Sequence, residues 1–146
     1  MQYSASQLLS MPSGDLDNLF SSSPAGDIPN GEAQGTAIIA SGTKFSAEIA
    51  ALFNIFAWQG KNFDAAHGTL RNRISVLGLN AIVAEVYKDK SLFDQKECIV
   101  LDYSKTSLVA EHVRDEIRLI GPSTYLGLVY WNKTKTIHFS LQFPVA

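Results

Sequence analysis

The stretch HVRDEIR, His112 to Arg118, places five ionisable side chains in seven residues and runs straight into the apolar LIGPSTYLGLVYW. On an extended chain, His112, Arg114, Glu116 and Arg118 share one face, and Val113, Asp115, Ile117 and Leu119 share the other. Asp115 therefore stands in an apolar row. A buried carboxylate is costly unless it is hydrogen-bonded or paired, and Lys61, Arg71, Arg73 and Tyr103 are the partners the sequence offers. With a protein partner, Asp115 reads as a structural ion pair or a polar residue at a barrel mouth. With a ligand as partner, Asp115 and Tyr103 become candidate catalytic groups, supplying a proton or orienting a carbonyl. Arg118 lies three positions on, faces the other way, and cannot line the same pocket without a bulge. The face of His112, Arg114, Glu116 and Arg118 reads as solvated or cross-paired.

Other constellations carry less chemistry. His112 and Glu116 would lie about 13 Å apart along a strand, too far to share a metal. His67, His112 and His138 form no local ligand pattern, so no metal is expected. The single cysteine, Cys98, alternates with Val100 and Asp102 and reads as inert packing. There is no G-x-S-x-G elbow and no phosphate-binding glycine loop, and no cofactor is expected.

The chain of 146 residues, 46% hydrophobic, suits one domain with a real core. Twelve basic and 14 acidic residues give a net charge of −2, which offers no electrostatic case for binding nucleic acid. No apolar run approaches the roughly 20 residues of a membrane span. The N-terminus does not look like a secretory signal, so the expectation is a soluble, cytoplasmic protein.

The elements that must position these residues are mostly strands. Residues 1–30, rich in Ser, Gly and Pro, read as an N-terminal arm, with a short helix from about Gly14–Asp15 burying Leu16, Leu19 and Phe20. Residues 31–146 read as one barrel domain. Its first segment, 31–42, leans to strand. Thr43 is a plausible N-cap for an amphipathic helix of about three turns carrying Phe45, Ile49, Leu52, Phe53 and Phe56, placed over one end of the barrel. Strands are then predicted near 58–64, 69–76, 79–88, 97–103 and 111–120, with a hairpin of 124–131 and 136–143. Many short strands with turn residues between them predict an antiparallel barrel or sandwich.

Three segments in order, GEAQG (31–35), AWQGKNFD (57–64) and DEIRLIGPSTYLGLVYW (115–131), resemble the uncharacterised bacterial family named for its GXWXG motif, with its associated C-terminal domain of unknown function. Trp58, Gly60, Lys61, Phe63 and Asp64 match its W-x-G-K-x-F-D segment. Asp115 and Arg118 match the ends of D-H-F-R, and Leu126 and Gly127 match the following L-G. Ala33 stands where that family has Trp. The resemblance implies a lipocalin-like, or calycin, β-barrel.

In a small barrel, inward side chains either fill the core or line one cavity. The many aromatic rings, with a few polar groups among them, suit a small hydrophobic ligand such as a lipid, isoprenoid or polyketide-like molecule. Trp58, Lys61, Phe63, Asp115, Tyr125 and Tyr130 are the candidate ligand contacts. A second reading is a cofactor-independent cyclase or isomerase. A third is an interaction protein, a homodimer exchanging its arm.

Overall fold

The structure is a computed structural model that describes residues 3–38, 61–74, 79–104 and 113–144. Two short helices come first. Helix α1 (Ala5–Ser10) begins at a reciprocal cap, in which Ser4 Oγ accepts from the Gln7 amide and Gln7 Oε1 accepts from the Ser4 amide. Helix α2 (Ser13–Ser22) carries Asp15 in its first turn and buries Leu16 and Phe20, four apart on one face.

Eight antiparallel strands follow: β1 (Gly31–Ile38), β2 (Lys61–Asp64), β3 (Thr69–Ile74), β4 (Leu79–Lys90), β5 (Glu97–Asp102), β6 (Val113–Gly121), β7 (Thr124–Trp131) and β8 (Thr134–Gln142). Each pairs with the next, and β8 pairs back onto β1, closing the barrel. Each expected strand is present over its described residues, and 113–120 is strand rather than helix. The β7–β8 turn is the two-residue Asn132–Lys133, with φ of 48° and 68°, which matches a hairpin of right-handed twist. The covering helix predicted after Thr43 lies outside the described residues, as do Trp58 and His112.

Two apolar clusters divide the molecule. The inner one fills the barrel from alternate strand positions, including Phe63, Leu70, Leu101, Tyr103, Val113, Ile117, Tyr125, Phe139 and Leu141. The outer one joins Leu8, Leu16 and Phe20 of the helices to Cys98, Val100, Leu126, Leu128 and Tyr130 on the outside of the barrel. The N-terminal helices thus form an outer layer. Strands β5 to β7 are buried on both faces beneath it, which explains why β5 and β7 read as nearly continuous apolar runs.

Residues 24–30 cross one end of the barrel. The Leu119 amide donates to Pro24 O at 3.0 Å, the Tyr125 hydroxyl to Asp27 O at 2.7 Å, and the Ala65 amide to Asn30 Oδ1 at 3.0 Å. Gly26 sits there at φ +75°, where a Cβ would stand 2.6 Å from Leu119 Cβ, so both backbone and space require glycine. Beneath this strap, Phe143 packs edge-on against Phe63 and Tyr125, with centroids 5.5 and 5.6 Å apart. That end of the lumen is sealed by rings.

Among the described residues, no helix is long and apolar enough to cross a membrane.

Candidate functional site

Among the described residues, three polar side chains enter the lumen away from the sealed end. Lys61 opens β2, directly across from Ala33 on β1. Tyr103 follows the last residue of β5. Asp115 is the third residue of β6, between Leu101 of β5 and Val129 of β7. Strand alternation sends all three inward with their apolar neighbours. Closure of the barrel then joins them across the lumen.

Lys61 Nζ donates to the Tyr103 hydroxyl at 3.0 Å and lies 5.6 Å from that ring's centroid. The Asp115 carboxyl lies near enough to both for the Lys61 charge and the Tyr103 hydroxyl to favour its ionised form. Lys61 and Asp115 are each only 2% exposed. Burial pushes the Asp115 carboxyl up to about 6, with Glu116 adding to the rise, while Lys61 and the Tyr103 hydrogen bond pull it back. Burial brings the Lys61 ammonium down to about 8, with Asp115 opposing. Asp115 and Lys61 are thus brought close to neutral pH from opposite sides.

Asp115 Oδ1 is buried and has no hydrogen-bond partner among the described residues. An unsatisfied buried acceptor costs roughly 1–3 kcal/mol, more when charged. Such an oxygen inside a barrel is the natural acceptor for a ligand's donor group.

The structure brings Lys61, Tyr103 and Asp115 together. Phe63 and Tyr125 also face the lumen, at its ring-sealed end. Tyr130 does not: it belongs to the outer cluster against the helices. Tyr125 and Tyr130 are five apart on one strand and so must point opposite ways, a parity visible in the sequence. The side chains of Arg71 and Arg73 lie outside the described residues.

On the outward face of β6, Glu116 and Arg118 are buried and Arg114 is partly exposed. Glu116 is fully buried, accepting from Ser91 Oγ at 2.6 Å, from the Leu92 amide at 2.8 Å, and from Arg114. Arg118 is 1% exposed and bidentate with Asp94, at 2.7 Å to each oxygen, and it also donates to Phe20 O, Lys96 O and Glu97 O. The β4–β5 turn folds back over these charges and α2 covers them, with the Arg118 guanidinium 4.3 Å over the Phe20 ring. The arrangement is cross-pairing, with Glu116 and Arg118 buried. On the same outer side, His138 Nε2 meets Asp17 of α2 at 2.7 Å, and Lys135 pairs with the other Asp17 oxygen.

Among the described residues, no group of three His, Cys, Asp or Glu side chains could hold a metal. No protein-family model and no curated protein matches the chain. The likeness to the GXWXG-type family therefore rests on motif residues alone. In three dimensions the chain is similar to the crystal structure of a protein from Thermomonospora curvata, with a TM-score of 0.62 and 11% identity, over 92% of this chain and 88% of that one. At that identity the likeness speaks for the barrel fold.

Proposed function

We propose that the barrel binds a small, mainly apolar molecule in its lumen and holds it by a hydrogen bond from the ligand to Asp115 Oδ1. The carrying observation is that oxygen: buried, without a partner among the described residues, and surrounded by Leu101, Val113, Ile117 and Val129. An apolar wall with a few convergent polar groups is the usual form of a small-molecule site. Tyr103 and Lys61 hold Asp115 in place, and the rings of Phe63 and Tyr125 form the lumen floor. This reading agrees with the calycin-like character that the motif resemblance implies, and Lys61 and Asp115 are both motif positions. Native mass spectrometry of protein purified from its own host tests it. A co-purifying apolar molecule that is lost in Asp115→Leu supports the reading. An empty protein that shows no thermal shift with lipid, isoprenoid or polyketide-like compounds contradicts it.

A second reading, a cofactor-independent isomerase or cyclase, draws on a different observation. Lys61, Tyr103 and Asp115 line up from a buried amine, through the phenol it donates to, toward a buried carboxyl. Such a chain can move a proton to or from a bound molecule near neutral pH.

A further inference from the structure

We propose that Lys61 is a carbonyl-reactive lysine, condensing with the aldehyde or ketone of an apolar molecule in the lumen to give an imine. The inference rests on the lumen-binding reading and adds a covalent step to it.

Three observations carry it. First, Lys61 reaches into the lumen from β2, is buried, and is paired across the β1–β2 ladder with the small Ala33. Second, it lies at the head of a relay, with its Nζ 3.0 Å from the Tyr103 hydroxyl and the Asp115 carboxyl near enough to feel both groups. Third, Asp115 keeps one buried oxygen with no partner among the described residues. A carboxylate placed only to neutralise an ammonium would be expected to have both oxygens satisfied, as Glu116 does on the opposite face.

An amine attacks a carbonyl only when it has lost its proton. A buried lysine gives up that proton more easily than an exposed one, as burial does here for Lys61. The relay provides a destination for the proton: Lys61 passes one to Tyr103 as Tyr103 passes one to Asp115. This yields an amine and a carboxylic acid without involving solvent.

The step balances. The Lys61 nitrogen lone pair forms a bond to the carbonyl carbon while the carbonyl π pair moves onto oxygen. A proton transfer from nitrogen to that oxygen gives the carbinolamine. The Asp115 acid, acting through Tyr103, protonates the carbinolamine hydroxyl. The C–O bond breaks, water leaves, and the nitrogen lone pair closes the C=N bond. The product is a protonated imine facing the Asp115 carboxylate. One amine, one carbonyl and one carboxylic acid become one iminium, one carboxylate and one water, with no oxidant or reductant. Asp115 then serves as counter-ion, and the apolar wall limits water for the reverse hydrolysis.

The test uses cinnamaldehyde, a compact conjugated apolar aldehyde, and cinnamyl alcohol, which has a similar carbon frame but cannot form an imine. The full chain is incubated with the aldehyde at pH 8, reduced with borohydride, and mapped by peptide mass spectrometry; alcohol binding is measured by calorimetry. Labelling should concentrate on Lys61, at least about tenfold faster than on exposed Lys88 or Lys90, and should slow at least about tenfold in Asp115→Asn as general acid help is lost. Lys61→Arg keeps a cation and should bind the alcohol but form no adduct. If the alcohol binds while Lys61 is labelled no faster than Lys88 and Lys90, the imine is overturned and the lumen-binding reading stands. If neither compound binds and Lys61 is not labelled, both fall.

Discussion

Asp115 and Glu116 are consecutive carboxylates on β6, both buried, and they receive opposite treatment. Glu116 points outward and accepts from a serine hydroxyl, a backbone amide and a guanidinium. Asp115 points inward, and its Oδ1 has no partner among the described residues. One strand thus carries a finished carboxylate and an unfinished one. The finished one anchors the β4–β5 turn, and the unfinished one is the oxygen on which the proposed ligand binding rests.

A site kept for function rather than stability should destabilise the fold near neutral pH. Asp115 is raised from 3.8 to about 6, so its contribution is full below 3.8 and lost as pH rises through about 6. Lys61 is lowered from 10.5 to about 8, so its contribution is full above 10.5 and lost as pH falls through about 8. Between about 6 and 8 both are charged and buried, and the cluster helps folding least. The double variant Lys61→Met/Asp115→Asn should therefore be more stable than the parent at pH 7, by about 1–4 kcal/mol in urea unfolding. The gain should shrink toward pH 4. A less stable double variant at pH 7 would mean that the cluster is structural.

Arg118 should behave in the opposite way. Arg118→Met strands Asp94 and three carbonyl oxygens and loosens α2, so it should cost about 3–5 kcal/mol in urea unfolding. Arg118 holds the Asp94 carboxyl down to about 2, from 3.8. That stabilisation is present above 3.8 and disappears as pH falls toward 2. A loss below about 1 kcal/mol would reduce the latch to a surface pair.

Much of this architecture was legible. Period-two alternation and the turn residues gave all eight strands, and Leu16 and Phe20 at helix spacing gave α2. The S-x-x-Q cap of α1 is also written in the sequence. Lys61 and Tyr103 could be named only as two of four possible partners of Asp115, and their bond to each other was not legible, because the two residues are 42 positions apart and meet only when the barrel closes. The burial of Glu116 and Arg118 was illegible for a related reason. Their cover comes from α2 and from a turn that folds back, and neither leaves a periodic signal in HVRDEIR.

Gly127 is required by its neighbour on β8. A Cβ there would lie 2.3 Å from the Phe139 ring, which occupies the space over the glycine. Gly127→Ala should cost about 1–3 kcal/mol. Adding Phe139→Leu should recover part of that loss, and simple additivity of the two changes would argue against the contact.

His138 links the helices to acid sensitivity. Burial lowers its imidazole, Lys135 pushes the same way, and Asp17 opposes them. Stability from a lowered group is present above its unfolded value of 6.5 and lost as pH falls below its folded value. The parent should therefore weaken relative to His138→Asn between pH 7 and pH 5, read from urea midpoints. Parallel pH profiles would contradict the assignment.

The central claim is that Asp115 Oδ1 accepts a hydrogen bond from a ligand in the lumen. Calorimetric titration with decanol and with its methyl ether tests it most directly, since the two share the apolar chain and differ in one donor. The parent should bind the alcohol about tenfold more tightly, from a charge-assisted hydrogen bond of about 1.5–3 kcal/mol. Asp115→Leu should erase the difference. Equal affinities in the parent, or a preference that survives Asp115→Leu, would contradict the account.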